Sequence, residues 1–161
     1  MAEWKPPIFD RTQEDVDYAV RKIAEWIASD INSASLVGYD LKGCLNVSDI
    51  NRIENNISFL AEQLKGYRYP ADTSSKSWSV TDLPNQSDID RIINNVKSLV
   101  DSFYHHPDAP DLPDGMLGYN EVNAIEENLS LIKALIDAMV SSFRKSGAFK
   151  AGGSMFLPIR R

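Results

Sequence analysis

His105, His106, Asp108 and Asp111 are where residues with metal-ligand chemistry crowd together in this sequence. Imidazole nitrogens and carboxylate oxygens could share a zinc or transition-metal ion. However, Pro107, Pro110 and Pro113 stiffen the segment, adjacent residues on an extended chain point in different directions, and no HExxH-like spacing occurs. Exposed loop histidines and no metal are therefore the expectation. Other acids have a structural explanation. Asp15, Asp49, Asp88 and Glu121 each stand three residues after a candidate helix cap, where a carboxylate meets the positive end of the helix dipole. The sequence contains no phosphate-binding glycine loop, no GxSxG elbow and no deaminase signature. Its single cysteine, Cys44, excludes an intrachain disulfide and a cysteine-based zinc cluster, and reads as a small apolar residue. No catalytic residue and no cofactor is expected.

A second set of polar residues recurs at fixed places. Asn56, Asn95 and Asn128 occupy one offset of a repeated segment, next to an apolar position, and Asn55 and Asn94 precede two of them. An amide donates and accepts at once, so each can fix helix register or tether a loop. Catalysis would need a nucleophile or base beside the amide, and the motif supplies neither. Arg52 and Arg91 share another offset, where Ala124 stands in the last unit. Pairing with Asp49 or Asp88 three residues earlier is available to them.

The segments that carry these residues are DVDYAVRKIAEWI from Asp15, DINRIENNISFLAEQL from Asp49, DIDRIINNVKSLVDSF from Asp88 and EVNAIEENLSLIKALI from Glu121. In the last three, apolar residues recur three, four and three positions apart: Ile50, Ile53, Ile57, Leu60; Ile89, Ile92, Val96, Leu99; Val122, Ile125, Leu129, Ile132. That spacing makes one stripe on an α-helix and cannot line one face of a strand. Val16, Ala19, Ile23 and Trp26 follow it more loosely in the first unit. The expectation is an all-α chain: four amphipathic helices near residues 12–29, 47–64, 86–103 and 119–143, in a bundle-like array whose core is those twelve residues. Thr12, Asn46, Asn85 and Gly118 are the candidate N-caps, each with its acid three residues on. Leu45 and Leu117 precede two of the caps and can staple onto Ile50 and Val122.

The links are long for a compact bundle. Residues 65–84 hold Pro70, a Ser/Thr run and Trp78, and 104–117 reads as a stiff extended crossing. The organisation expected is an N-terminal docking arm over 1–11, a helical repeat over 12–143 and a C-terminal docking arm over 144–161. Loop and arm aromatics either cap a core or contact a partner. Trp4, Phe9, Trp78, Phe156 and Ile159 are the candidate partner contacts, and a neighbour's groove is the expected site for the arms.

Composition narrows the partner class. The 161 residues carry 17 Lys+Arg against 23 Asp+Glu, a net charge of −6, with no basic stripe, which disfavours nucleic acid. No apolar run approaches a membrane span, and the start lacks the basic-then-apolar order of a signal peptide.

Taken in order, Arg11 to Asp17, Lys42 to Leu64, Asp88 to Leu99 and Asn120 to Leu129 resemble a pattern found in small structural proteins of phages and prophages of Gram-positive, especially clostridial, bacteria, encoded among their tail and host-contact genes. The pattern there is RTQxDVD, then KGxLNxxDLNRIExNxxxLxxxL, then D(I/F)xRIxxNVxxL, then N(E/D)(V/I)NxIExxL after a proline-rich link. The likeness is weaker in the 65–84 loop and the C-terminal tail. It implies a place in a virion or tail-like particle, with host cytoplasm during assembly. It also implies other phage structural proteins, or copies of the same chain, as partners, and no chemistry. A non-virion adaptor or regulatory helical module would use the same helices, and a small host-wall enzyme would need convergent acids that the pattern does not offer.

Overall fold

A computed structural model describes residues 2–29, 41–115 and 117–146, excluding the side chains of 144–146. The proposed contacts Phe156 and Ile159 and most of the C-terminal arm lie outside these residues. The described residues form an all-α, bundle-like array of four helices: α1 (Gln13–Ala28), α2 (Val47–Gly66), α3 (Gln86–Ser102) and α4 (Tyr119–Ser146). No strand occurs among the described residues. α4 runs three residues beyond the end expected from its pattern.

Helix starts follow their caps. Thr12 Oγ1 accepts from the Asp15 N–H at 3.3 Å while Asp15 accepts from the Thr12 N–H at 2.9 Å. Asn85 and Asp88 reciprocate in the same way, at 3.1 and 3.2 Å. At α2, Asp49 accepts from the Asn46 N–H at 3.0 Å, and the Asn46 amide donates to the Leu41 and Cys44 carbonyls, tying down the preceding turn. Gly118 departs from the expected capping box. It has no side chain to accept a bond, and a Cβ there would meet the Glu121 carboxylate, 2.6 Å away. Its carbonyl accepts from the Val122 N–H at 3.1 Å and opens the helix from the backbone alone.

The core belongs to three helices, α2, α3 and α4, which pack on one another pairwise. All twelve stripe residues are buried in it, joined by Leu64, Ile93, Ile136 and Trp78. Leu45 and Leu117 lie against its edge. α1 does not share this role, in keeping with its looser pattern and with an expected core drawn from the other three helices. Ala19 is its buried residue, Val16 and Trp26 are half-buried, and Ile23 is exposed. The reason is visible at the turn that receives α1. Cys44 N–H closes on the Leu41 carbonyl at 2.9 Å, and Gly43 lies so close under α1 that a Cβ would collide with the Asp15 carbonyl. α1 is therefore held by its first turns, with Lys42 bridging Asp10 at 3.0 Å and Asp15 at 3.4 Å.

Candidate functional site

Three long non-helical segments among the described residues are straps laid into the grooves of the α2–α3–α4 core, and the recurring amides hold them. Asn56 of α2 clamps Lys5, accepting from its N–H at 3.0 Å and donating to its carbonyl at 2.8 Å. Asn95 of α3 clamps Ser74 in the same two-way fashion, at 3.1 and 2.7 Å. Asn128 of α4 donates to the Pro110 carbonyl at 2.9 Å and also back to the Ala124 carbonyl. Proline has no N–H, so this third clamp is one-sided.

A second row of amides lies five residues earlier. Asn51 of α2 holds both backbone groups of Trp78 at 2.9 Å, and Asn123 of α4 holds both of Arg11, at 3.2 and 2.9 Å. The corresponding residue of α3 is Asp90, which accepts from the Gln86 side chain instead. Each of the first two straps is thus pinned twice, once by each helix bordering its groove. Clamping through backbone groups leaves the strap's side chains free for other work.

Two buried ionic clusters complete these grooves. Between α4 and α2, fully buried Glu126 accepts from Arg52 Nε at 3.0 Å and Nη2 at 2.6 Å, from Arg11 Nη2 at 3.1 Å and from the Ile8 N–H at 2.6 Å. Asp49 accepts from Arg11 at 2.7 Å and from Arg52 at 2.5 Å in the same cluster. Between α2 and α3, Glu54 accepts from Arg91 on both oxygens, from Trp78 Nε1 at 3.1 Å and from the Lys76 N–H at 3.4 Å. Arg52 therefore pairs with Asp49 as expected, whereas Arg91 reaches across to Glu54, whose burial gives the stronger attraction.

These pairs run in a cycle. The glutamate of α4 meets the arginine of α2, and the glutamate of α2 meets the arginine of α3. In the remaining step, α3 carries Ile93 at the glutamate place and α4 carries Ala124 at the arginine place. Both charges are missing together there, so neither is left buried and unpaired.

Electrostatics follow from this packing. Burial pushes the Asp49 carboxyl up, but the Asn46 N–H, Arg52 and Arg11 outweigh it and hold it below the ordinary carboxylate range. Burial raises the Cys44 thiol, with a smaller push from Asp49, which keeps it protonated and unreactive at neutral pH. The oxygens of Glu54, Glu126 and Asp49 all accept bonds from cations or backbone, and a general base must offer a lone pair to substrate. These acids serve the straps.

Several expected contacts fall on the chain itself. Trp78, a candidate partner contact, is buried in the core with its indole N–H on Glu54. Trp4 packs on Phe59 with ring centroids 5.8 Å apart. Both are claimed by α2 because their strap backbone is pinned beside it. The N-terminal arm likewise docks on its own helices through the backbone of Lys5, Ile8 and Arg11. Phe9 stays exposed. His105 is exposed, His106 Nδ1 accepts from the Asp108 N–H at 3.1 Å, and no group of three metal-binding side chains converges among the described residues.

Arg11, Glu54, Asn51, Asn123 and Glu126 were not singled out by the pattern of the sequence. Aligning the three core units by offset is the signal that finds all of them but Arg11, since Asn51 and Asn123 share one place and Glu54 and Glu126 another. Among the described residues no helix is long and apolar enough to cross a membrane. No family model matches the chain, and no curated protein or solved structure matches it either.

Proposed function

We propose that this chain is a non-enzymatic structural subunit of a phage tail or phage-like particle, acting through protein–protein contacts. The observation that carries the reading is the division of labour within the fold. Buried acids, arginines and amides are spent on pinning straps to a three-helix core, while α1 is held at its start and keeps apolar residues on the surface. A scaffold locked in this way loses little conformational entropy when it joins an assembly, because the ordering is done within the chain. The likeness of residues 11–17, 42–64, 88–99 and 120–129 to small tail-region proteins supports the particle as the place. The partners are other structural proteins of that particle and copies of the chain, with host cytoplasm as the site of assembly.

A mass-spectrometric inventory of purified particles tests this. The chain is expected at a fixed ratio to the major tail proteins. Its absence from particles, with recovery as a soluble complex with host proteins, would favour an adaptor and refute the subunit.

A further inference from the structure

The three straps are not held alike. The first is bonded to the core helices through the backbone of Lys5, Ile8 and Arg11, the second through that of Ser74, Lys76 and Trp78. Each also buries one residue outright, Arg11 in the first and Trp78 in the second. The third strap, residues 109–115, gives the helices one backbone group among the described residues, the Pro110 carbonyl. All of its residues are half-buried or exposed. Its other polar link to a helix is Lys97 Nζ to Asp114 at 3.6 Å, with the Asp114 side chain 99% exposed, a pair that solvent leaves weak.

The looseness has a chemical cause at three places. Asn128 is 2% exposed, and its Nδ2 donates to the Pro110 and Ala124 carbonyls. In Asn56 and Asn95 the amide oxygen accepts a strap N–H, and Pro110 has none to give. Asp90 stands where Asn51 and Asn123 grip the other straps, and a carboxylate cannot donate to a strap carbonyl. Ala124 stands where Arg91 donates to the Ser74 carbonyl at 2.8 Å, and it lines an open cleft of about 500 Å³ between α4 and the strap. We infer that the third strap is a latch, which opens from the α3–α4 groove while the core and the other two straps stay closed. Opening breaks the Asn128–Pro110 bond and strands no buried charge, because Ile93 and Ala124 replace the Glu–Arg pair there. Opening either of the other straps would strip Glu126 or Glu54 of bonds they accept in the interior. Pro110 and Pro113 stiffen the latch, and the turn that Ala109 N–H closes on the His106 carbonyl at 3.0 Å lies at its start, so it swings as one piece. Leu112, packed on the core edge, leaves with it and uncovers the groove. The chain can thus change shape at one groove without loosening its core. This is a property of the isolated chain and stands apart from the subunit reading.

Backbone amide relaxation measured by nuclear magnetic resonance on the full chain reads the latch directly. Asp111, Leu112 and Asp114 are expected to show μs–ms exchange or order parameters below about 0.6, while Lys5, Ile8, Ser74 and Trp78 show no exchange and values near about 0.85. Pro110→Ala restores an N–H for Asn128, and Ala124→Arg supplies a guanidinium for the strap carbonyl. Each should cut the open population at least about threefold, with circular dichroism unchanged. Asn128→Ala should raise it. A third strap as rigid as the other two, the same motion in all three, or motion that neither Pro110→Ala nor Ala124→Arg reduces would overturn the proposal.

Discussion

Replacing Glu126 by isoleucine removes one carboxylate from a closed cluster of two arginines and two acids. Arg11 and Arg52 would then face Asp49 alone, both nearly buried, and the Ile8 N–H would lose its acceptor. Breaking a buried pair from one side costs about 3–5 kcal/mol because the remaining charge is uncompensated. That is a large part of the roughly 5–15 kcal/mol that holds a domain folded. Adding Arg52→Ala changes the balance. The double variant carries Ile and Ala at the places where the third interface has Ile93 and Ala124, and it leaves Arg11 paired with Asp49. Of the groups that bonded to Glu126, the Ile8 N–H alone is left unmatched, at about 1–3 kcal/mol. The double variant is therefore expected to be more stable than Glu126→Ile by about 1–3 kcal/mol. Urea unfolding followed by far-ultraviolet circular dichroism measures this, with an unchanged slope as the check on two-state behaviour. A double variant as unstable as the single one, or less stable, would refute the pairing logic.

Three further outcomes follow from the same contacts. Asn56→Ala and Asn95→Ala should each cost about 1–3 kcal/mol and accelerate amide exchange at Lys5 or Ser74 respectively, while Asn128→Ala, whose clamp is one-sided, should cost less; urea titration and hydrogen exchange check this. Gly43→Ala should loosen the start of α1 by driving a methyl group into the Asp15 carbonyl, seen as faster exchange in residues 13–19 with the core amides unchanged. Asp49, held below its ordinary value in the fold, stabilises fully above its unfolded pKa of about 3.9, and that contribution is lost as the pH falls through the lower folded value. Unfolding free energy should accordingly decline on acidification from about pH 5 towards 2, less steeply in Asp49→Asn.

The helices and their core were legible in the sequence because burial of one face writes a three-four-three apolar stripe, and all twelve stripe residues of α2, α3 and α4 are inside. α1 follows the same spacing more loosely with Val16, Ala19, Ile23 and Trp26, and nothing in a periodicity says what covers such a stripe. Trp78 read as a possible partner contact because loop position alone suggests exposure. Its burial depends on Asn51 and Glu54, on another element, meeting its backbone and its indole. The Glu–Arg cycle was hidden for a related reason. Arg91 has an acid three residues before it in sequence, yet the pairing made is with Glu54 across a helix interface. Long-range pairs of this kind are fixed by packing and leave a trace only when repeats are compared offset by offset.

Native-state hydrogen exchange on the full chain tests most directly the claim that clamped straps are frozen onto the core while α1 is held mainly at its start. The account predicts that the amides of Lys5, Ile8, Arg11, Ser74 and Trp78, though outside any helix, open only at free energies near that of global unfolding, whereas α1 exchanges by local opening. Strap amides exchanging at loop rates while the α2–α3–α4 core remains protected, or α1 amides as protected as that core, would contradict it.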